Sequence, residues 1–497
     1  MLMTGVLTAV AFYGGWARVS DHERLHQRFL MERRELLTVV QAAAAEKDPP
    51  KDADNSNPSG MRFQSSKPSV DLDQLLDRPL SKLDRQEFER HWSSGKSPNG
   101  MAYLSSNFKA WRPPTVLGAI SVGESDQWPE FYTPKMLFGG KFPTSSEAQT
   151  LSASRIVNPY HVSVGAFEMS TLLIVILPLV SIALTYDVLS QDRELGILRL
   201  LGAQNVSIRM LVMIRLALRP LSVVGVLLCV LLLGYVIVGA DLFNGSTWAL
   251  LGTFTLTVLV YTGFWAAVAW FVNSLGFSSM TNAVLLAMCW IVVVFVVPVS
   301  IAQSVAGAHP VPASGALASK EKEIQKSIQE MQTQMRLEAR EMHGEQLREA
   351  QAAFWQETAA KGALELRERM TVEIDRYYRE HDERDAAMLR WQFLSPALAV
   401  KQACDLIAGN SHAQFVQFTR DVCSDHSEYL DYFRTLSGKN ERLTSAEIEK
   451  APTFARSGST ARVDWQALWW SIGVVAAWAL LLGVLGWTIL PARLQTV

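Results

Sequence analysis

From Leu242 to Ser319 the chain contains no Asp, Glu, Lys or Arg, and residues 320 to 390 that follow are packed with them. Segregation on this scale means that different parts of the chain sit in different solvents. About 20 consecutive apolar residues suffice for one helical crossing of a bilayer. The uncharged stretch is therefore long enough for two, with the string NSLGFSSMTN at 273 to 282 as the turn between them. Met169 to Tyr186, Pro220 to Ala240 and Trp465 to Ala492 are also free of charge. Backbone polar groups in lipid must be satisfied within the segment, and these runs do not alternate as barrel strands do, so they read as helices. A composition of 49% hydrophobic and only 19% charged residues leans the same way.

Met1 to Trp16 is apolar though slightly short, and Trp16 and Arg18 have the character of an interfacial anchor. A cleaved signal peptide is the competing reading; it is disfavoured because no basic residue precedes the apolar run and VAFYGGWAR is a poor cleavage site. The expected fold is thus an all-α polytopic membrane protein. Six transmembrane helices fall at 1–16, 167–186, 220–240, 247–272, 280–305 and 465–490. Two large, mainly helical extracytoplasmic domains occupy 17–166 and 306–463, and a cytoplasmic region occupies 187–219. The orientation follows from the short loops. Arg193, Arg199, Arg209, Arg215 and Arg219 lie in one of them and only Asp241 in the next, so the positive-inside bias places the arginine-rich loop and both termini in the cytoplasm.

Within the outer regions, residues 18 to 46 read as a helix continuing out of the first span and stopping at the polar linker KDPPKDADNSNPSG. A short helix-like stretch follows near 70 to 92, then loops rich in Pro, Gly and aromatics. A long helical pattern covers 318 to 385. In it Ile324, Ile328, Met331, Met335 and Met342 keep heptad spacing, the mark of a helix packed along another, either in its own domain or in a second chain. Cys229 and Cys289 fall in apolar spans. Cys404 and Cys423 both fall in the second outer region, where they either pair or remain thiols. Neither outer region carries the basic block that nucleic acid requires.

Two strings imitate catalytic motifs. HERLH, His22 to His26, fits the zinc-protease pattern, in which two imidazoles on one helix face bind the metal beside a general base. It lies just outside the first span on a solvated stretch, with no well-placed third ligand. RHWSSGKS, residues 90 to 97, resembles a phosphate loop, but Arg90 stands where the first glycine is needed. The chain is accordingly expected to hold no nucleotide or metal and to be non-catalytic.

The charged loop TYDVLSQDRELGILRLLGAQNVSIR, residues 185 to 209, carries the functional argument. A short charged helix held between two spans can act as a lever on a cytoplasmic partner. Asp192, Arg193, Glu194 and Arg199 are expected to pair with that partner, Leu195, Leu198 and Leu201 to fill a pocket on it or pack beneath the membrane, and Gly196 to permit close approach. Any membrane protein has charged cytoplasmic loops, so the residues alone leave an ordinary solvated loop equally open.

The string YDVLSQDRELGILRLL resembles the coupling segment of ABC-2-type transporter permeases, commonly Y-D-x-x-S-x-E-x-E-x-G-T-L-R-L-L. Tyr186, Asp187, Ser190, Glu194, Gly196, Leu198, Arg199, Leu200 and Leu201 match, while Asp192 replaces a glutamate and Ile197 a threonine. LGAISVGESDQWPEFY (117–132), NPYHVSVGAFEMS (158–170) and WQFLSPALAVKQACDLIAG (391–409) resemble segments of the branch with large outer domains after the first and before the last span. The resemblance implies a permease subunit that docks a cytoplasmic ABC ATPase dimer through Tyr186, Asp187, Ser190, Asp192, Arg193, Glu194, Leu195, Gly196, Leu198 and Arg199. ATP and Mg would be bound by that ATPase. It further implies a second permease subunit, identical or paralogous, a setting of membrane lipids in a bacterial inner membrane, periplasmic proteins as further partners, and export as the activity. RELGILRLLGAQ is also similar to the loop of mechanotransmitting permeases, but those have four spans and one outer domain. In the bends expected at Pro178 and Pro298, the sequence places its flexible points.

Overall fold

A computed structural model describes residues 2–45, 110–112, 115–123, 131–132, 168–197, 208–239, 245–312, 316–343, 347–422 and 463–494. Regular structure among them is helical except for one antiparallel pair, β1 (Ala110–Trp111) with β2 (Phe131–Tyr132), in which Ala110 faces Tyr132. Among the described residues five helical segments are long and apolar enough to cross a membrane: Met169–Glu194, Met210–Val238, Gly245–Ser274, Ser279–Ala308 and Trp465–Ile489. This is the architecture of a multi-pass membrane protein. The segments fall where the uncharged runs place them. The linker, the stretch near 70 to 92, RHWSSGKS and Cys423 lie outside the described residues.

Helix α1 (Leu2–Ala45) is continuous through both the short N-terminal apolar run and the helix expected to follow it. Its apolar part docks on α4 (Ile208–Val238), with Gly5 against Val226 and Val230, and Phe12 edge-on to Tyr235 at 5.0 Å. His22 and His26 fall on α1, and their side chains lie outside the described ones.

Helix α2 runs through Met169–Thr171, a π-helical turn at Leu172–Ile176, and Leu177–Thr185. The cause is Pro178, which has no N–H to give the Ile174 carbonyl and whose ring collides with it in a regular α-helix. The π turn absorbs that collision. The exposed acceptors are then taken by neighbours: the Tyr261 hydroxyl donates to the Ile174 carbonyl at 3.1 Å and Trp290 Nε1 to that of Val175 at 3.1 Å. A backbone defect in an apolar core is tolerable only when other groups satisfy it in this way. Helix α6 repeats the device before Pro298, as Ser279–Ile291, a π turn at Val292–Val296, and Val297–Ala308. Both prolines therefore sit in continuous helices, and the one in α2 is pinned by two side-chain donors.

Helix α5 (Gly245–Ser274) is the central element and buries Phe254, Val258, Tyr261, Trp265 and Ala269. Helix α11 (Trp465–Leu494) lies along it. They approach so closely that a Cβ at Gly486 would stand 2.3 Å from the Trp270 ring.

The pattern expected as one long helix over 318–385 is divided between α7 (Ala316–His343) and α8 (Leu347–Trp391). The two run antiparallel: Gly362 meets Ile328 and Gln332, while Ile324 packs with Leu366, Met370, Ile374 and Tyr377. Ile324 and Ile328 of the heptad are thus covered by the chain's own next helix, whereas Met335 is exposed and the side chain of Met342 lies outside the described ones. After a 3₁₀ turn at Gln392–Leu394 comes α9 (Pro396–Ala408). Ser395 caps its start by accepting from the Leu398 N–H at 3.2 Å, and Gly409, with φ +74°, ends it in the left-handed conformation that glycine adopts without penalty. Residues 412–422 form α10. Although α9 falls in the region expected as a separate outer domain, Ala399, Val400, Ala403, Cys404 and Ile407 belong to the same hydrophobic core as the long apolar helices. Cys404 is a free, fully buried thiol.

Candidate functional site

At the C-terminal end of α2 the chain turns and forms α3 (Ser190–Glu194). Val188 and Leu189 are buried and Tyr186 is packed against the core, so the turn is anchored from beneath. Its charges are engaged within the chain. Arg215 Nη1 of α4 lies 2.5 Å from Asp192 Oδ2, and Arg219 Nη1, one helical turn on, donates to the Leu184 carbonyl at 2.8 Å and lies 3.4 Å from Asp187 Oδ1. Arg193 Nη2 donates to the Phe277 carbonyl in the α5–α6 turn at 2.8 Å. Glu194 accepts from the Ser279 N–H at 2.7 Å, placing a carboxylate on the positive end of α6. Ser279 Oγ is within donating distance of both Glu194 Oε2, at 3.0 Å, and Ser190 Oγ, at 2.9 Å. Beneath this layer Asn273 Nδ2 donates to the Thr185 carbonyl at 3.2 Å and Asn282 Nδ2 to Asn273 Oδ1 at 3.3 Å.

Asp192, Arg193 and Glu194, expected to face a partner, thus bind α3 to α4, to the α5–α6 turn and to the start of α6. Gln191 and Glu194 keep exposed polar surface on α3, and beyond them the chain presents an apolar tip: Leu195 is 66% exposed, and Gly196 follows with φ +71° and no atom within 4 Å of the place a Cβ would take. Leu198 and Arg199 lie outside the described residues. Read from sequence, Arg215 and Arg219 register only as topogenic charges. Their spacing of four, which puts both on one face of α4 opposite two acids in the preceding loop, is the signal that could have found them.

The opposite end of α2, about 25 Å away at 1.5 Å per residue, carries a second polar assembly. Lys401 Nζ of α9 lies 2.8 Å from Asp405 Oδ1, 3.1 Å from Glu168 Oε1 and 2.9 Å from Ser121 Oγ. Ser121 Oγ donates to Asp405 Oδ1 at 2.5 Å, Ser170 Oγ donates to Glu168 Oε1 at 2.5 Å, and the Val122 N–H also donates to Glu168. Asn410 Nδ2 closes the group on the Ser121 carbonyl at 2.6 Å. Alongside, Arg112 donates to the Gly409 carbonyl and stacks over Phe415 at 3.8 Å, and burial lowers its guanidinium to about 10.

Burial alone would lower the Lys401 ammonium, but Asp405 and Glu168 outweigh it and hold the pKa above the ordinary lysine value. Asp405 is raised by burial, against the pull of Lys401 and the Ser121 hydroxyl. A lysine held protonated cannot take a proton from Ser121, so the short Ser–Lys distance does not make a nucleophilic dyad. The assembly is a structural junction among the 117–122 loop, the start of α2 and α9. Its three segments stand out in the sequence by resemblance, yet nothing there says that they meet. Lys401 and Asp405, four apart on a mostly apolar helix, are the visible signal. Among the described residues no group of three or more His, Cys, Asp or Glu side chains is placed to hold a metal ion.

Residues 322–456 match a family model described as Domain of unknown function (DUF3526). No curated protein and no solved structure matches the chain. The matched segment contains α8, α9 and α10, and so contributes Lys401 and Asp405 to the junction, while Glu168 and Ser121 come from outside it.

Proposed function

We propose that this chain is the transmembrane permease subunit of an ABC transporter, coupling ATP hydrolysis by a separate cytoplasmic ATPase dimer to export of a substrate. The observation that carries the reading is α3: a short helix whose tip exposes Leu195 and Gly196, tied by its own charges to α4, α6 and the α5–α6 turn and joined to α2 by the turn at 186–189. Force applied at Leu195 and Gly196 is delivered to several helices at once. The reading includes α1 as a sixth span, both termini in the cytoplasm of a bacterial cell, a second permease subunit, and the α7–α8 hairpin outside. The chain itself is non-catalytic in this scheme, ATP and Mg belonging to the partner.

The Lys401 junction favours a second reading, a mechanotransmitting subunit whose outer helices act on periplasmic partners without translocation. The junction fastens the far end of α2 to α9, so displacement of α3 would be passed to the outer helices. Uptake into inside-out vesicles separates the two readings: ATP-dependent accumulation of cargo supports the first, and its absence alongside ATP-dependent change in the outer region supports the second.

Two measurements test the lever. A cysteine introduced as Leu195→Cys should react with an impermeant maleimide in inside-out vesicles and be shielded in intact cells; the reverse pattern removes the inner location. Gly196→Asn keeps a residue that tolerates positive φ, so the fold should persist while ATPase stimulation in the reconstituted complex falls. Unchanged stimulation would count against docking at this tip.

A further inference from the structure

The α8–α9 turn presents an unusual surface. Trp391, Phe393 and Leu394 are 50%, 47% and 41% exposed, whereas Gln392 between them points inward and is buried, its Oε1 lying 3.4 Å from Ser471 Oγ of α11. The Trp391 and Phe393 rings stack at 6.3 Å. Three large apolar side chains at a chain reversal form a patch that water does not favour.

The depth of this turn says what meets it. Trp478 Nε1 donates to the Phe393 carbonyl at 2.7 Å, and Trp478 lies about 20 Å along α11 from Trp465 at 1.5 Å per residue. The neighbouring ends of α8 and α9 pack equally deep, Met388 and Leu398 with Val297 of α6, and Ala399 and Val400 beside Val260 and Val475. Around α11 the exposed residues that flank Ser471 and Trp478 are Trp470 and Leu481. The turn is thus continuous with the outward face of a helix long and apolar enough to cross a bilayer. Its composition is that of a lipid-facing segment: two aromatics and a leucine, with the exposed Arg390 immediately before them.

We propose that residues 391–394 form a wedge inserted into the lipid leaflet at the N-terminal end of α11, with phospholipid as its partner. The inference rests on α11 crossing the membrane and on nothing else in the proposed function. The wedge makes α9 a re-entrant element, a non-spanning segment held at membrane depth and covered by protein on its inner side. This part of the region expected to lie outside would then report on, and be held by, the leaflet.

The test uses the full chain in vesicles of phosphatidylcholine with phosphatidylglycerol. Nitroxide labels are attached in turn through Phe393→Cys, Leu481→Cys on the exposed face of α11, and Arg379→Cys on the exposed face of α8, in a chain whose four native cysteines are alanine and whose thermal unfolding in detergent matches the parent. Collision rates with oxygen and with a polar nickel chelate are then compared. Position 393 should match 481, with oxygen favoured over the chelate, and 379 should show the opposite. A chelate-accessible 393 means that the turn is in water, and a 393 shielded from both reagents means that a second copy or another protein covers it; either result overturns the wedge. A water-like reading at 481 would instead overturn the crossing by α11, and with it the proposed function.

Discussion

Replacing Lys401 with methionine should destabilise the protein by on the order of 3 kcal/mol, the low end of the range for removing one partner of a buried ion pair, read as a lower unfolding midpoint in mixed micelles. The reason is asymmetric. The substitution retains most of the packing of the aliphatic stem but leaves Glu168 and Asp405, with side chains 9% and 14% exposed, facing each other without a cation. Lys401 itself is 34% exposed, which admits some solvent and argues against the upper part of that range. Adding Glu168→Gln and Asp405→Asn to the methionine variant should recover much of the loss, because a neutral, hydrogen-bonded site no longer buries like charges. If Lys401→Met unfolds with the parent, the junction is solvated and fastens nothing. If the single variant is destabilised and the triple variant is no better, the loss comes from packing around the stem rather than from charge.

The same junction shows where sequence stops being informative. The apolar runs are legible because a bilayer imposes a length and composition that few other environments do, and α2, α4, α5, α6 and α11 fall on them. Helix α9 is not, since its apolar positions alternate with Lys401, Gln402 and Asp405, and only the tertiary arrangement reveals that Lys401 and Asp405 meet Glu168 and Ser121 while Val400, Ala403 and Cys404 enter the core. The heptad of Ile324 and Ile328 correctly indicates a partner helix. Whether that helix belongs to the same chain depends on a reversal near residue 345, which helical periodicity does not encode. Pro178 and Pro298 do mark irregular turns. Reading them as flexible points assumes that the freed carbonyls stay free, and in α2 Tyr261 and Trp290, distant in sequence, take them.

The loop around α3 is legible in sequence as a charged helix between two long helices, and much less so as a surface. Charge type and spacing say that Asp192 needs a cation; they do not say whether the cation is on another protein or on the next helix. Here Arg215 supplies it. The consequence for coupling is favourable to a lever, because side chains already spent on intramolecular bonds make α3 a rigid part of the helix bundle, and a rigid part transmits displacement that a solvated loop would dissipate.

That rigidity makes Arg215→Ala the sharper test of the loop. Asp192 is 8% exposed and its partner's nitrogen is 2.5 Å away, so truncating Arg215 strands a nearly buried carboxylate. Arg215 is itself 35% exposed, so a cost of roughly 2–3 kcal/mol is expected, below the range for a wholly enclosed pair. Arg219→Ala should cost less, under about 1 kcal/mol, because Asp187 is 3.4 Å away and 23% exposed. Asp192→Asn placed on Arg215→Ala should return part of the loss. Under the proposed permease function, Arg215→Ala in the reconstituted complex should lower coupling of ATP hydrolysis to the outer-side activity more than Arg219→Ala does, while leaving the proposed docking of the ATPase at Leu195 and Gly196 in place. Binding without coupling would locate the function of the pair in holding α3 to α4. Loss of binding in step with loss of stability would mean that the pair merely keeps the loop folded, and equal effects of the two arginines would remove the geometric ranking on which the lever rests.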